Sequence, residues 1–314
     1  MKQGTLTSFL NIQKERIVPD NFCLVWEHDS PKITFNKELD TILVKNVNIR
    51  FNNANFEVSL YANKNDILPH PKETTKFKHD AIPFFKSLLQ KAIRRGFRNS
   101  AVFACHTLIQ LDPITLYRRL PIIMIEDVKI HKGFSILVWY MLANIPPSKK
   151  FITYVLGLVD LLCKENTFMN YEHITELPKN IPHNSLIWSI IFRIEYGGMK
   201  GDINMMKYII QILSEDENQI WDANVKLYEE EIIEPFVWMY EAIDFHIYPK
   251  LLCFNFNNND SSEVKKMCWY NSSSINFRKS NTPYRLEEWK KIAPEIRKLQ
   301  IQYFNKLWIS PKSI

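Results

Sequence analysis

The sequence predicts a mainly α-helical protein, a multi-helix domain with a small β-rich element near its N-terminus. Three observations lead there. Residues 22–62 concentrate β-branched and aromatic residues between Asn- and Asp-bearing turns. From residue 84 onward, apolar residues recur at helical spacing with short breaks. The chain has 314 residues, 46% of them hydrophobic, enough to bury a sizeable core.

The elements divide the chain into three parts. Residues 1–20 read as a flexible tail, polar and without a sustained period, ending in Val18-Pro19-Asp20. Residues 21–83 form the β-rich element and its connector. The runs FCLVW, KITF, TILVKNVNIRF and FEVSLY read as strands, with a hairpin turn at Asn52-Asn53-Ala54-Asn55. Pro69, Pro71 and Pro83 mark the connector.

Residues 84–314 form the helical domain. Helices are expected at 84–96, 99–111, 113–127, 132–143, 148–164, 185–196, 202–213, 216–227 and 232–246. Asp112 is placed to cap the helix that Pro113 opens. NFNNND (255–260) reads as a polar loop, and 268–279 as a helix end followed by a capped loop. In the final segment Ile292, Ile296, Leu299, Tyr303 and Leu307 share one stripe, with Pro294 opening a new helix or kinking the existing one.

Composition narrows the function classes. The formal net charge is +6, from 40 basic and 34 acidic residues, mildly basic and compatible with a nucleic-acid partner. Cys23, Cys105, Cys163, Cys253 and Cys268 are odd in number and contain no C-x-x-C pair, which predicts reduced, buried thiols in an intracellular protein. The polar opening lacks a signal-peptide core, and the apolar run at 134–145 is too short to span a bilayer. A soluble protein with no membrane partner is expected.

The search for chemistry returns no catalytic set, no metal site and no cofactor site. His and Cys never fall into metal-ligand spacing. Asp244 and His246 are two apart, so one helix would point them in different directions, and His246 reads as a core histidine. Glu229, Glu230 and Glu231 read as a solvated face. Helix 86–98 is two-faced, with Leu88, Leu89, Ala92 and Ile93 on one side. Lys91, Arg94, Arg95 and Arg98 follow at i, i+3, i+4 and i+7, a stripe suited to a phosphate backbone and hence a candidate DNA contact. Arg118 and Arg119 are expected to pair with Glu126 and Asp127.

Gln3, Leu6, Phe9 and Leu10 are spaced Q-x-x-L-x-x-F-L. One short helical turn would set Leu6, Phe9 and Leu10 on one side as a three-pronged apolar plug, leaving Gln3 to hydrogen-bond at a separate spot. The pattern resembles the PCNA-interacting peptide, or PIP box, which implies a PCNA-type sliding clamp as partner. Leu10 departs from it, because the family has Phe or Tyr there, and a Leu fills the pocket less completely.

A second resemblance covers about forty residues. Lys91-Ala92-Ile93-Arg94-Arg95-Gly96, Asp112-Pro113, Tyr117-Arg118-Arg119-Leu120 and Ile125-Glu126-Asp127-Val128 follow in the order of similar pieces in the clamp-loader-like AAA+ ATPases. That family contains bacterial MgsA and the Werner-helicase-interacting protein, and the pieces lie in its C-terminal helical region. The resemblance implies self-association and a replication or repair setting. The chain has no G-x-x-x-x-G-K-[ST], so the ATPase motor is missing.

These readings converge on a non-enzymatic accessory factor of DNA replication or repair, acting in the nucleus or at a viral replication site. Its partners would be the sliding clamp, DNA and a second copy of itself. A divergent DNA-processing enzyme such as a nuclease, and a structural or scaffold protein, stand as the alternatives.

Overall fold

The computed structural model describes residues 18–165, 176–178, 180–252, 261–272 and 283–309. Of the described residues 55% are helical, beside a small four-stranded N-terminal sheet, a mixed α/β content in which helix dominates. Contacts group the described residues into two units, and the chain passes between them repeatedly.

Among the described residues, one unit takes 18–67, 130–143, 176–178 and 180–222. Its strands are β1 (Asn21–Glu27), β2 (Ser30–Thr34), β3 (Thr41–Phe51) and β4 (Ala54–Asn63), in the order β2-β1-β4-β3. β1 and β4 run parallel, and the other two pairings are antiparallel. Asn52 and Asn53 both have positive φ (48° and 62°), as a two-residue hairpin turn requires, so the expected β3–β4 turn is in place.

Phe22, Leu24, Val58, Leu60 and Ala62 supply the sheet's share of the core. Against it lie α4 (Gly133–Ala143) and α6 (Ser185–Glu195), with α7 (Lys200–Glu215) packed on α6. Every residue of α4 is buried, which explains an apolar run too short to be a membrane span. Among the described residues no helix is long and apolar enough to cross a membrane. Trp139 Nε1 donates to the Phe22 carbonyl at 2.9 Å, so the bulkiest side chain of α4 keeps its polar atom satisfied.

Among the described residues, the other unit takes 68–129, 144–165, 223–252, 261–272 and 283–309. It holds α1 (Ile82–Arg95), α2 (Arg98–Leu111), α3 (Pro113–Asp127), α5 (Lys149–Lys164), α8 (Ser261–Ser272) and α9 (Leu286–Phe304). Asp112 caps α3 as expected, its Oδ1 accepting from the Thr115 amide at 3.3 Å, and Ser148 caps α5 in the same way. Gly96 ends α1 with φ 70°. α9 runs without interruption through Pro294, with Ile292 and Ile296 buried beneath it. Phe77, Phe84, Phe85, Phe103, Trp238 and Phe304 pack in an aromatic core through edge-to-face and tilted contacts.

Two expected helices are absent. At 216–227 only a single turn, Glu217–Gln219, is helical, and Trp221 bridges to His131 instead. Asp216 explains the break: its carboxylate accepts from the Asn218 amide (3.0 Å) and the Gln219 side chain (3.0 Å), a local turn that competes with helix. At 232–246 the chain is irregular apart from Tyr240–Ala242. Pro235 cannot donate, and Trp238 is drawn into the aromatic core while Phe236 and Val237 face outward.

Candidate functional site

Gln3, Leu6, Phe9 and Leu10, which carry the clamp motif, lie outside the described residues, as do Cys253, the 255–260 loop and the capped part of 268–279. The other candidate set, Lys91, Arg94, Arg95 and Arg98, is described in full.

Those four cations do not form an open stripe. Arg94 is 8% exposed; its Nε donates to Asp127 Oδ1 at 2.5 Å, and its Nη2 lies 3.6 Å from Glu126. Arg95 Nη1 donates to Glu241 Oε1 at 2.5 Å. Arg98 donates to Asp160 and, at 2.6 Å, to Glu230. Lys91, also 8% exposed, donates to Ser87 Oγ at 2.9 Å and sits 3.5 Å from Asp244. The open, phosphate-facing stripe expected from the spacing is therefore corrected: α1 is covered on both sides, Arg98 begins α2, and buried cations must be paired. Arg119, 3.8 Å from Glu126, adds the ion pair expected at the end of α3. Glu229, Glu230 and Glu231 are exposed, as expected.

Around Lys91 the unit builds a cleft. α1 contributes Lys91 and Arg95, the 241–245 segment contributes Glu241 and Asp244, α8 contributes Cys268, and α9 contributes Arg297 and Gln300. The outer part encloses about 250 Å³ and is rimmed by Arg95 and Arg297. Both guanidinium groups share Glu241, Arg297 at 3.4 Å. Inward it narrows to a recess of about 20 Å³, room for one water-sized group, with Lys91, Asp244 and Cys268 in its lining.

Local chain geometry sets these groups. Asp244 Oδ1 accepts from the His246 amide at 2.9 Å, which fixes the turn and leaves Oδ2 for Lys91. His246 is exposed, not a core residue, and so corrects the sequence reading. Gln300 Nε2 donates to the Ile243 carbonyl at 2.9 Å and ties α9 to that turn.

The electrostatics follow from burial. Burial pushes the Lys91 ammonium below its ordinary pKa; Asp244 opposes this, and Arg94 and Arg95 reinforce it. Burial, with Asp244 nearby, pushes the Cys268 thiol up to about 12, so it stays protonated at neutral pH. The recess therefore sets an amine poorly disposed to charge 3.5 Å from the Asp244 carboxylate.

Sequence reading missed this cleft because its parts are remote in the chain: Lys91 and Asp244 are 153 residues apart. Among the described residues no group of three or more His, Cys, Asp or Glu could hold a metal ion. Comparison with family models, with curated proteins and with solved structures returned no match.

Proposed function

We propose that the protein is a non-enzymatic accessory factor of DNA replication or repair, tethered to a PCNA-type sliding clamp by Gln3, Leu6, Phe9 and Leu10. The observation that carries this reading is the spacing Q-x-x-L-x-x-F-L, which on a single helical turn would set three apolar side chains on one side. Lys2 beside the motif suits an acidic clamp rim. The tether works by effective concentration: a modest peptide affinity holds the folded units beside the primer terminus. DNA, other replication proteins and a second copy of the chain are their proposed partners, and the nucleus or a viral replication site their proposed location.

DNA contact is not assigned to the 91–98 stripe, whose cations are engaged internally. A peptide of residues 1–16 titrated calorimetrically into a PCNA-type clamp from the same genome tests the tether. Binding on the order of micromolar, abolished by Phe9→Ala with Leu10→Ala, supports it. No heat from either peptide overturns it.

A further inference from the structure

The cleft at Lys91 combines three features that a structural ion pair alone does not require. Lys91 lines a narrow recess that shares Glu241, Ser272, Ile296 and Gln300 with the lining of an adjacent open cleft. Its carboxylate partner stands off at 3.5 Å, while Ser87 Oγ takes the closer hydrogen bond at 2.9 Å. Two guanidinium groups against one carboxylate leave the rim one positive charge in surplus.

We propose that Lys91 is a reactive amine that condenses with the aldehyde of a phosphate-bearing ligand, with Asp244 relaying protons. The recess of about 20 Å³ has room for the carbonyl group alone, so the rest of the ligand would lie in the outer cleft of about 250 Å³. Arg95 and Arg297 at the rim suit an anionic carrier. The groups facing Lys91 are Arg94 and Arg95 from its own helix, Glu241 and Asp244 from the connecting segment, and Cys268 from α8; α9 presents Gln300 and, at the rim, Arg297. Asp244 is the carboxylate in contact with the amine.

The step balances within these groups. The Nζ lone pair attacks the carbonyl carbon, the C–N bond forms, and the C=O π pair moves to oxygen. Asp244 takes a proton from the nitrogen and delivers it to that oxygen, giving a carbinolamine. A second proton follows the same route, the C–O bond breaks, and water leaves as the C=N bond forms. Asp244 ends as it began, and amine plus aldehyde have become imine plus water. This inference is independent of the clamp reading, because residues 1–17 take no part in it.

The test is reductive trapping on the full chain at pH 7. Cyanoborohydride supplies the hydride that converts the imine to a stable secondary amine. Glycolaldehyde phosphate serves as a free probe, an oligonucleotide bearing an abasic-site aldehyde as a DNA-borne one, and neutral glycolaldehyde as control. The expected result is an adduct mapped by peptide mass to Lys91, formed faster than at exposed Lys290 or Lys298. It should be lost in Lys91→Arg, which retains a cation beside Asp244, and slowed in Asp244→Asn, with both variants folded by circular dichroism. Arg297→Gln should remove the preference for the phosphorylated probe over the neutral one. Whichever phosphate-bearing probe reacts identifies the source as free or DNA-borne. Trapping at Lys91 no faster than at the exposed lysines, with both probes, overturns the proposal and leaves Lys91–Asp244 a structural ion pair.

Discussion

Arg94 and Asp127, 33 residues apart, meet inside the helical unit with Nε 2.5 Å from Oδ1, and neither is more than 8% exposed. Asp127 Oδ2 also accepts from Gln90 Nε2 at 2.8 Å, so both carboxylate oxygens are occupied. The pair locks the end of α3 onto α1. It converts a residue that spacing alone assigns to a DNA-facing stripe into part of the core.

Breaking that pair from one side should be costly. Asp127→Ala leaves a buried guanidinium without the carboxylate that accepts its 2.5 Å hydrogen bond, with Glu126 farther off at 3.6 Å. A loss of about 3–5 kcal/mol in urea unfolding is expected. Replacing both partners, Arg94→Met with Asp127→Leu, should recover most of that loss. Equal losses in the single and double variants would show that the site depends on the charges themselves.

Arg98 should behave differently, although it touches two carboxylates. Its side chain is 36% exposed and Glu230 is 62% exposed, so water already screens much of the interaction. Arg98→Ala is expected to cost no more than about 1 kcal/mol, shrinking further in high salt. A loss as large as that of Asp127→Ala would contradict this ranking.

Gly157 is required by close approach. A Cβ at this position in α5 would stand 2.0 Å from the Lys226 carbonyl oxygen, a backbone atom that cannot swing aside. The neighbouring segment is held to α5 by the Tyr228 amide, which donates to the Thr153 carbonyl at 2.9 Å. Gly157→Ala should therefore cost at least about 1–3 kcal/mol despite the better helix propensity of Ala. A melting temperature equal to wild type would show that the 223–228 segment is not seated there.

His106 gives the fold a pH dependence. Burial holds its imidazole below the ordinary value of 6.5, against the pull of Glu73 and with the help of His70. The unfolded chain then takes up this proton more readily than the folded one. The stability it contributes is complete above about pH 6.5 and is lost as pH falls from there toward the folded value. Thermal melts between pH 7 and 5 should show a steeper decline for wild type than for His106→Gln. Parallel declines would rule His106 out as the source.

Much of the architecture was legible because local chemistry and packing agreed. Asp112-Pro113 started a helix where a cap and a proline predict one, and paired asparagines turned the β3–β4 hairpin. The sequence misled where a local competitor won, as with the Asp216 turn, or where one aromatic anchor such as Trp238 overruled the helical period. The Lys91 cleft was not legible for another reason. Periodicity shows which side chains share a face of α1, but not what that face meets. Its partners Asp127, Glu241 and Asp244 come from the end of α3 and from the 241–245 segment, both remote from α1 in the chain.

The tether can be tested on the whole protein. Full-length chain and its Phe9→Ala, Leu10→Ala variant would each be titrated into a PCNA-type clamp carrying a fluorescent copy of residues 1–16. The account predicts that the wild-type chain displaces the labelled peptide at micromolar concentration while the variant does not. Equal displacement by both chains, or none by either, would contradict a tether built from Gln3, Leu6, Phe9 and Leu10.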